Sequence, residues 1–295
     1  MDWLIEFPAM DTDRLTALKK TIDLGFRNFT RANGDMFEAA LYPVQWFMYR
    51  VEQLLTSSPW PLVILAFAVI AWLASRSAKI TVGVIITLLL IGYFDMWEDT
   101  MKTIAMTVVA TILAIIVGIP IGILMGRSNR IQAVLNPILD VMQTMPSFVY
   151  LIPVVMLLGI GRVPGLIAVM VYAIPPIIRL TNLGIRLVDK DVLEAADAFG
   201  SSNWQRLKNV QMPLALPTIM AGVNQTIMMA LAMVVVASMI GVQGLGLPVL
   251  KAISNQYFTL GIFNGLAIVG IAIIFDRTSQ AYGKRLQKHL EVVHG

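Results

Sequence analysis

What most limits this chain is a succession of apolar runs, each close to the roughly 20 residues needed to cross a hydrocarbon core about 30 Å thick. They fall near residues 60–75, 78–96, 103–125, 134–160, 163–187, 214–240 and 259–276. Backbone amides find no water inside a bilayer, so such runs fold as helices that close their own hydrogen bonds. The expected class is an all-α polytopic membrane protein with about seven transmembrane helices. The first two runs are short and separated only by Arg76 to Lys79, so one of them could be re-entrant or interfacial. With 57% hydrophobic and 14% charged residues, the chain has too little polar surface to coat a soluble globule of this size.

Charge placement suggests an orientation. Leaving out the N-terminal tail, whose Arg14, Lys19, Lys20, Arg27, Arg31 and Arg50 add to the second side, thirteen Lys and Arg residues from Arg76 to Lys288 fall on one side of the alternating loops, against Lys102, Arg162 and Lys251 on the other. The positive-inside rule puts the thirteen in the cytoplasm and predicts an N-out, C-in chain. The basic residues are spread over short loops rather than clustered with aromatics, so the net charge of +4 implies no nucleic-acid partner.

Residues 1–58 form a tail whose start, Met1 to Glu6, lacks the basic n-region and apolar h-region of a cleavable signal peptide. Phe37, Leu41, Val44, Phe47, Met48, Val51, Leu54 and Leu55 recur at helical spacing, with Tyr42, Trp46 and Tyr49 among them. This predicts an amphipathic helix in contact with membrane lipid, with Pro43 near its start or at a kink. Packing of that helix against the chain's own spans has equal weight. Beyond the tail we expect peripheral transmembrane helices over 59–97, a transmembrane core over 98–280 and a cytoplasmic C-terminal tail over 281–295.

Catalytic and metal chemistry find no support. There is no cysteine, and the two histidines, His289 and His294, lie near the C-terminus. No G-x-x-x-x-G-K-[ST] loop is present to cradle nucleotide phosphates. Asp95, Glu98, Asp99, Asp140 and Asp276 fall near predicted span ends, away from the mid-membrane positions that ion-driven carriers use. An energy source on a partner protein follows, with no cofactor on this chain.

Polar residues inside the predicted spans are neutral. Gln143, Phe148, Tyr150 and Tyr172, with Asn224, Gln225 and Met228, are the candidate lining of a translocation path; helix–helix contacts are the competing role. Gly241-Val-Gln-Gly244-Leu-Gly246 reads as a tight extracytoplasmic turn, with contact to a binding protein as one role.

Between two apolar runs lies a polar island, 188–213. Asp191 is a candidate N-cap with Glu194 as its capping-box acid, and Gly200 can take the positive φ that ends a helix. A second helix starting near Ser201 to Asn203 is expected to stop before Pro213.

The spacing E-A-A-x3-G-x9-V-x-M-P, built on Glu194, Ala195, Ala196, Gly200 and Pro213, resembles the EAA loop of ABC-importer permeases. The runs Gln143 to Pro153, Pro175 to Arg186, Pro217 to Met228 and Asp276-Arg277 are similar to the permeases of glycine betaine, proline betaine and choline importers. The resemblance implies a type I importer fold. It further implies a permease homodimer, two cytoplasmic ATPase subunits that bind ATP and Mg, and an extracytoplasmic substrate-binding protein. The solute implied is a quaternary ammonium or methylated amine such as glycine betaine, choline, proline betaine or trimethylamine N-oxide. Glu194, Ala195, Ala196, Gly200 and Pro213 would then couple the permease to its ATPase. A stand-alone channel or secondary carrier with an incidental helical hairpin is the competing class.

Overall fold

The computed structural model describes residues 9–294; the Met1 to Glu6 stretch and the side chains of His289 and His294 lie outside the described part. The described residues form helices joined by short connections. In order the helices are α1 (Thr12–Ser57), α2 (Trp60–Ser75), α3 (Ala78–Tyr93), α4 (Trp97–Arg127), α5 (Asn129–Thr144), α6 (Leu151–Leu158), α7 (Arg162–Arg186), α8 (Lys190–Ala198), α9 (Asn203–Arg206), α10 (Met212–Ala237), α11 (Gly246–Asn255) and α12 (Phe258–His294).

Four helical stretches are long and apolar enough to span a bilayer by themselves: α4, α7, residues 203–240, and α12 as far as residue 286. Two bent pairs raise the number to six, so the expected seven is not reached. The bends come from proline. Pro59 holds Ser58 extended at φ −74°, ψ 146°, and residues 39–57 turn by 112° into α2. Pro146 does the same to Met145 at φ −70°, ψ 131°, so the run expected as one span over 134–160 is α5 followed by a 112° turn into residues 147–158. In both cases the proline ring keeps the preceding residue out of helical geometry. α3, at 16 residues, is shorter than a typical span.

α7 is the centre of the bundle, packed on one side by α4 and on the other by α10. Close approach rests on glycines four residues apart. A Cβ on Gly118 would lie 2.4 Å from Ile177 Cγ2, one on Gly122 2.5 Å from Thr181 Cβ and 2.7 Å from the Ile178 carbonyl, and one on Gly126 2.9 Å from Ile185 Cγ2. Small residues at this spacing let membrane helices meet backbone to side chain, which is where packing energy comes from when lipid is as apolar as the core. On the α10 side, Gly184 meets Ala215 and Thr218, and Gly222 meets Ile177 and Leu180.

The amphipathic stretch of the tail is part of one continuous helix, α1, which runs through Pro43. Met48 is buried, and Val44 and Val51 pack against the same cluster as α4, α7 and α10 residues. Leu55 joins a second cluster with α2 and α4 residues. Of the two readings for 37–55, packing against the chain's own bundle is the one realised over 44–55. Tyr42, Trp46 and Tyr49 stay exposed, and the Arg50 guanidinium stands 5.4 Å from the Trp46 ring centroid.

The glycine-rich passage after α10 is folded into the bundle. Gly244 takes φ +125° with Thr103 Oγ1 2.5 Å from where a Cβ would be, and the neighbouring Leu245 amide donates to that hydroxyl at 2.9 Å. Val242 is buried against Gly165. This passage is an internal packing turn, with only Gly241 and Gln243 exposed.

Candidate functional site

Two places gather the residues singled out above: the tip formed by α8 and α9, and the surface around the α5–α6 bend and α10.

The tip starts with Asp189, not Asp191, as N-cap; its side chain accepts from the Asp191 amide at 2.9 Å. With the cap two residues earlier, Glu194 falls outside the capping-box position and is a free, exposed carboxylate on α8. The helix closes in a Schellman turn. The Gly200 amide donates to the Asp197 carbonyl at 2.9 Å and the Ser201 amide to the Ala196 carbonyl at 3.0 Å, with Gly200 at φ +78°. The next helix opens on a complete capping box: Ser202 Oγ accepts from the Gln205 amide and Gln205 Oε1 from the Ser202 amide. An Arg206–Asp197 ion pair of 2.6 Å ties the two helices across the glycine.

Beyond the tip the chain does not break at Pro213 as expected. Residues 207–211 form a π-helical turn, with the Met212 amide donating to the Leu207 carbonyl, and α10 continues from it. A proline ring clashes with the carbonyl four residues back and lacks the donor that would bond it. The wider turn removes both demands, so Pro213 sits in the first turn of α10. The resulting helix, residues 203–240, has 38 residues and reaches about 57 Å, nearly twice the hydrocarbon thickness.

No residue of α8 is buried. Leu187, Val192, Phe199 and Trp204 expose 67%, 41%, 91% and 66% of their surface, an apolar patch on an otherwise polar tip. Ala195 lies exposed and Ala196 half-buried between them. Leu207, 3% exposed, anchors the tip to the core beside Leu139, Ile185 and Ala215. Held exposed in this way, these apolar groups are available for contact.

The candidate path residues divide into three sets. Tyr150 is buried, with its hydroxyl on the Met142 carbonyl and its ring edge-on to Tyr172 at 5.6 Å. Asn224 donates to Asp276 at 2.9 Å and accepts from Ser279 Oγ at 2.5 Å. Gln280 also donates to Asp276, at 2.6 Å, so this carboxylate is a half-buried member of a polar cluster between α10 and α12. It lies 18 residues into α12, near the end of the apolar run over 259–276. Gln143, Phe148, Gln225 and Met228 are exposed; Gln225 lines a cavity of about 450 Å³ with Asn224, Met220, Ser279 and Lys284. These seven residues do not converge on one pocket within a single chain.

Sequence reasoning missed several features: the Gly118, Gly122, Gly126 ladder, the Thr103 bond to the glycine turn, and three arginine contacts made by α7. Arg162 bonds Glu52 of α1 at 2.8 and 3.0 Å and Gln243 at 2.5 Å; Arg179 and Arg186 hold α5. The i, i+4, i+8 glycine spacing was a readable signal. The arginine contacts join residues 39 to 110 positions apart and left none.

A helical bundle with a capped, projecting two-helix tip fits a membrane transport subunit. The comparisons agree. Residues 118–288 match the family model described as binding-protein-dependent transport system inner membrane component. The glycine betaine/proline betaine transport system permease protein ProW of Escherichia coli (strain K12) is 43% identical over 96% of this chain and 82% of its own length. The glycine betaine/carnitine transport permease protein GbuB of Listeria monocytogenes serotype 1/2a (strain 10403S) is 46% identical over 77% and 81%. A chain of the MetNI methionine ABC transporter, solved in inward-facing conformations, superposes with a TM-score of 0.58 at 19% identity, over 63% of this chain and 93% of that one. The chain belongs to the family of binding-protein-dependent transport system inner membrane components, as an ABC-importer permease. It is a multi-pass, non-enzymatic transport subunit that works with an ATPase and a binding protein, which removes the stand-alone channel or carrier.

Proposed function

We propose that this permease imports a small quaternary-ammonium or methylated-amine solute, with its N-terminus outside and its C-terminus in the cytoplasm. Two copies form the path, two ATPase subunits with ATP and Mg drive it, and an extracytoplasmic protein delivers the solute. The observation that carries the coupling role is the tip. Phe199 and Trp204 are held away from the bundle by the Gly200 turn, with the small Ala195 and Ala196 between them and Glu194 free to accept a bond. Pro213 sets the start of the span that the tip moves.

Gln143, Phe148, Gln225 and Met228 are open on the single chain, as residues facing a path between two copies would be. Tyr150 with Tyr172 and Asn224 with Asp276 would support that path from behind. Among methylated amines, glycine betaine is the solute named for both permeases described above.

The test is uptake of labelled glycine betaine into proteoliposomes holding the permease, its ATPase and its binding protein. Competing choline, proline betaine, carnitine or trimethylamine N-oxide would be present in excess. ATP-dependent uptake suppressed by these amines supports the reading. With all components assembled, ATP-dependent uptake of none of them moves the solute outside this class.

A further inference from the structure

α5 is held to the bundle by little apolar surface. Leu139 is its one fully buried side chain among the described residues, with Leu135 and Met142 partly buried beside it. Two arginines of α7 bond its side chains, and Tyr150 bonds the Met142 carbonyl near its far end. Arg179 Nη2 donates to Asp140 Oδ1 at 2.5 Å. Arg186 Nη1 donates to Asn129 Oδ1 at 2.7 Å, Nη2 to the Met125 carbonyl at 2.7 Å, and Nε to Asn182 Oδ1 at 3.0 Å.

The spacings make this a two-point attachment. Seven residues separate the arginines, two turns of α7, so they share a face. Asn129 and Asp140 are eleven apart, three turns of α5, and also share a face. The Met125 carbonyl is among the last of α4, an acceptor without an intrahelical partner and at the negative end of the helix. A guanidinium presents a fixed fork of donors that reaches three acceptors at once, which a lysine ammonium on its flexible stem cannot reproduce.

We infer that Arg179 and Arg186 are positioning residues that make α5 move with α7, so that displacement of the α8–α9 tip is delivered to the bend at Pro146. The chain gives the route. α7 ends at Arg186, four residues before α8 begins, while α5 leads through Met145-Pro146 into the segment that carries Phe148 and Tyr150. With the two ties in place, tip, α7 and α5 form one rigid body and the bend is its working edge. Without them α5 keeps the apolar contacts of Leu135, Leu139 and Met142 and the Tyr150 bond, and the tip moves without the bend. This rests on the tip being the ATPase contact.

The test compares ATP hydrolysed with solute imported in the reconstituted complex, both normalised to permease in the membrane. Arg179→Gln and Arg186→Lys should keep ATP hydrolysis stimulated by the loaded binding protein while uptake falls about tenfold, a typical size for loss of inter-site coupling. The exchanged pair Arg179→Asp with Asp140→Arg should recover most of the ratio. A purely structural role would lower both activities together, and that outcome, or an unchanged ratio in Arg186→Lys, overturns the inference. If Arg179→Gln does not accumulate, the Arg186→Lys variant and the exchanged pair decide. Failure of the proposed function would look different, since the unmodified complex would then show no ATP-dependent uptake at all.

Discussion

Gly122 and Gly200 are both indispensable to this architecture, for opposite reasons. Gly122 is an ordinary helical residue whose missing Cβ leaves room for Thr181 and the Ile178 carbonyl; Gly200 has nothing within 4 Å of a Cβ but sits at φ +78°. The first glycine supplies space inside a membrane core that is packed from both sides. The second supplies backbone conformation at an exposed tip that owes its shape to hydrogen bonds. A core built by contact resists deformation everywhere, whereas a tip built by caps is stiff locally and free to be gripped by another protein.

The largest effect that separates the two regions should come from Gly122→Leu. A side chain there must displace a backbone carbonyl, and overpacking of this kind costs upward of about 1–3 kcal/mol. The expected outcome is loss of a monodisperse peak in detergent and a lower midpoint of thermal unfolding. Gly200→Pro should do the reverse. Proline cannot reach φ +78° and has no amide to donate to Asp197, so the turn is lost at a local cost of about 3 kcal/mol. Thermal unfolding of the bundle stays near that of the parent, and uptake is lost while the protein remains in the membrane. Unchanged transport would remove the coupling role of the tip.

A smaller effect is expected from Phe199→Ser with Trp204→Ser, which leaves every cap intact. If these side chains are contact hot spots worth about 2 kcal/mol each, association with the ATPase weakens in a titration by about thirtyfold for one and up to about a thousandfold for both. Full binding by the double variant would shift the contact surface elsewhere. Arg206→Gln should matter least. The Arg206–Asp197 pair is half open to solvent, and such pairs contribute about 0.2–1 kcal/mol. Faster amide exchange limited to Phe199–Ser202 would mark its local reach.

The comparison also explains what could be read from the sequence. The spans over 103–125, 163–187, 214–240 and 259–276 each lie on a helix of the structure because uninterrupted apolar length is enough to define them. The turn at Gly200 was legible because glycine chemistry there is local. The bend at Met145-Pro146 was not, since a proline within a long run reads equally as a kink inside one span, and at Ser58-Pro59 the boundary could be placed but not its angle. Pro213 misled in the other direction. A proline ends an α-helix, but the π-helical turn before it lets the chain continue, and that choice is made by Leu207 and Met212 seating in the core. The path residues were the least legible, because Tyr150 and Asn224 are satisfied within one chain while Gln143 and Gln225 face away from it.

The π-helical turn at 207–211 carries one further consequence. One residue added to a helix rotates everything beyond it by about 100°. The stripe of α10 that faces α7 through Ala215, Ile219 and Gly222 therefore has an azimuth set by that single extra residue, independently of where Trp204 points at the tip. The turn acts as a phase shifter between two surfaces cut from one rod. Deleting Asn209 would leave both surfaces chemically intact and turn them out of alignment with each other.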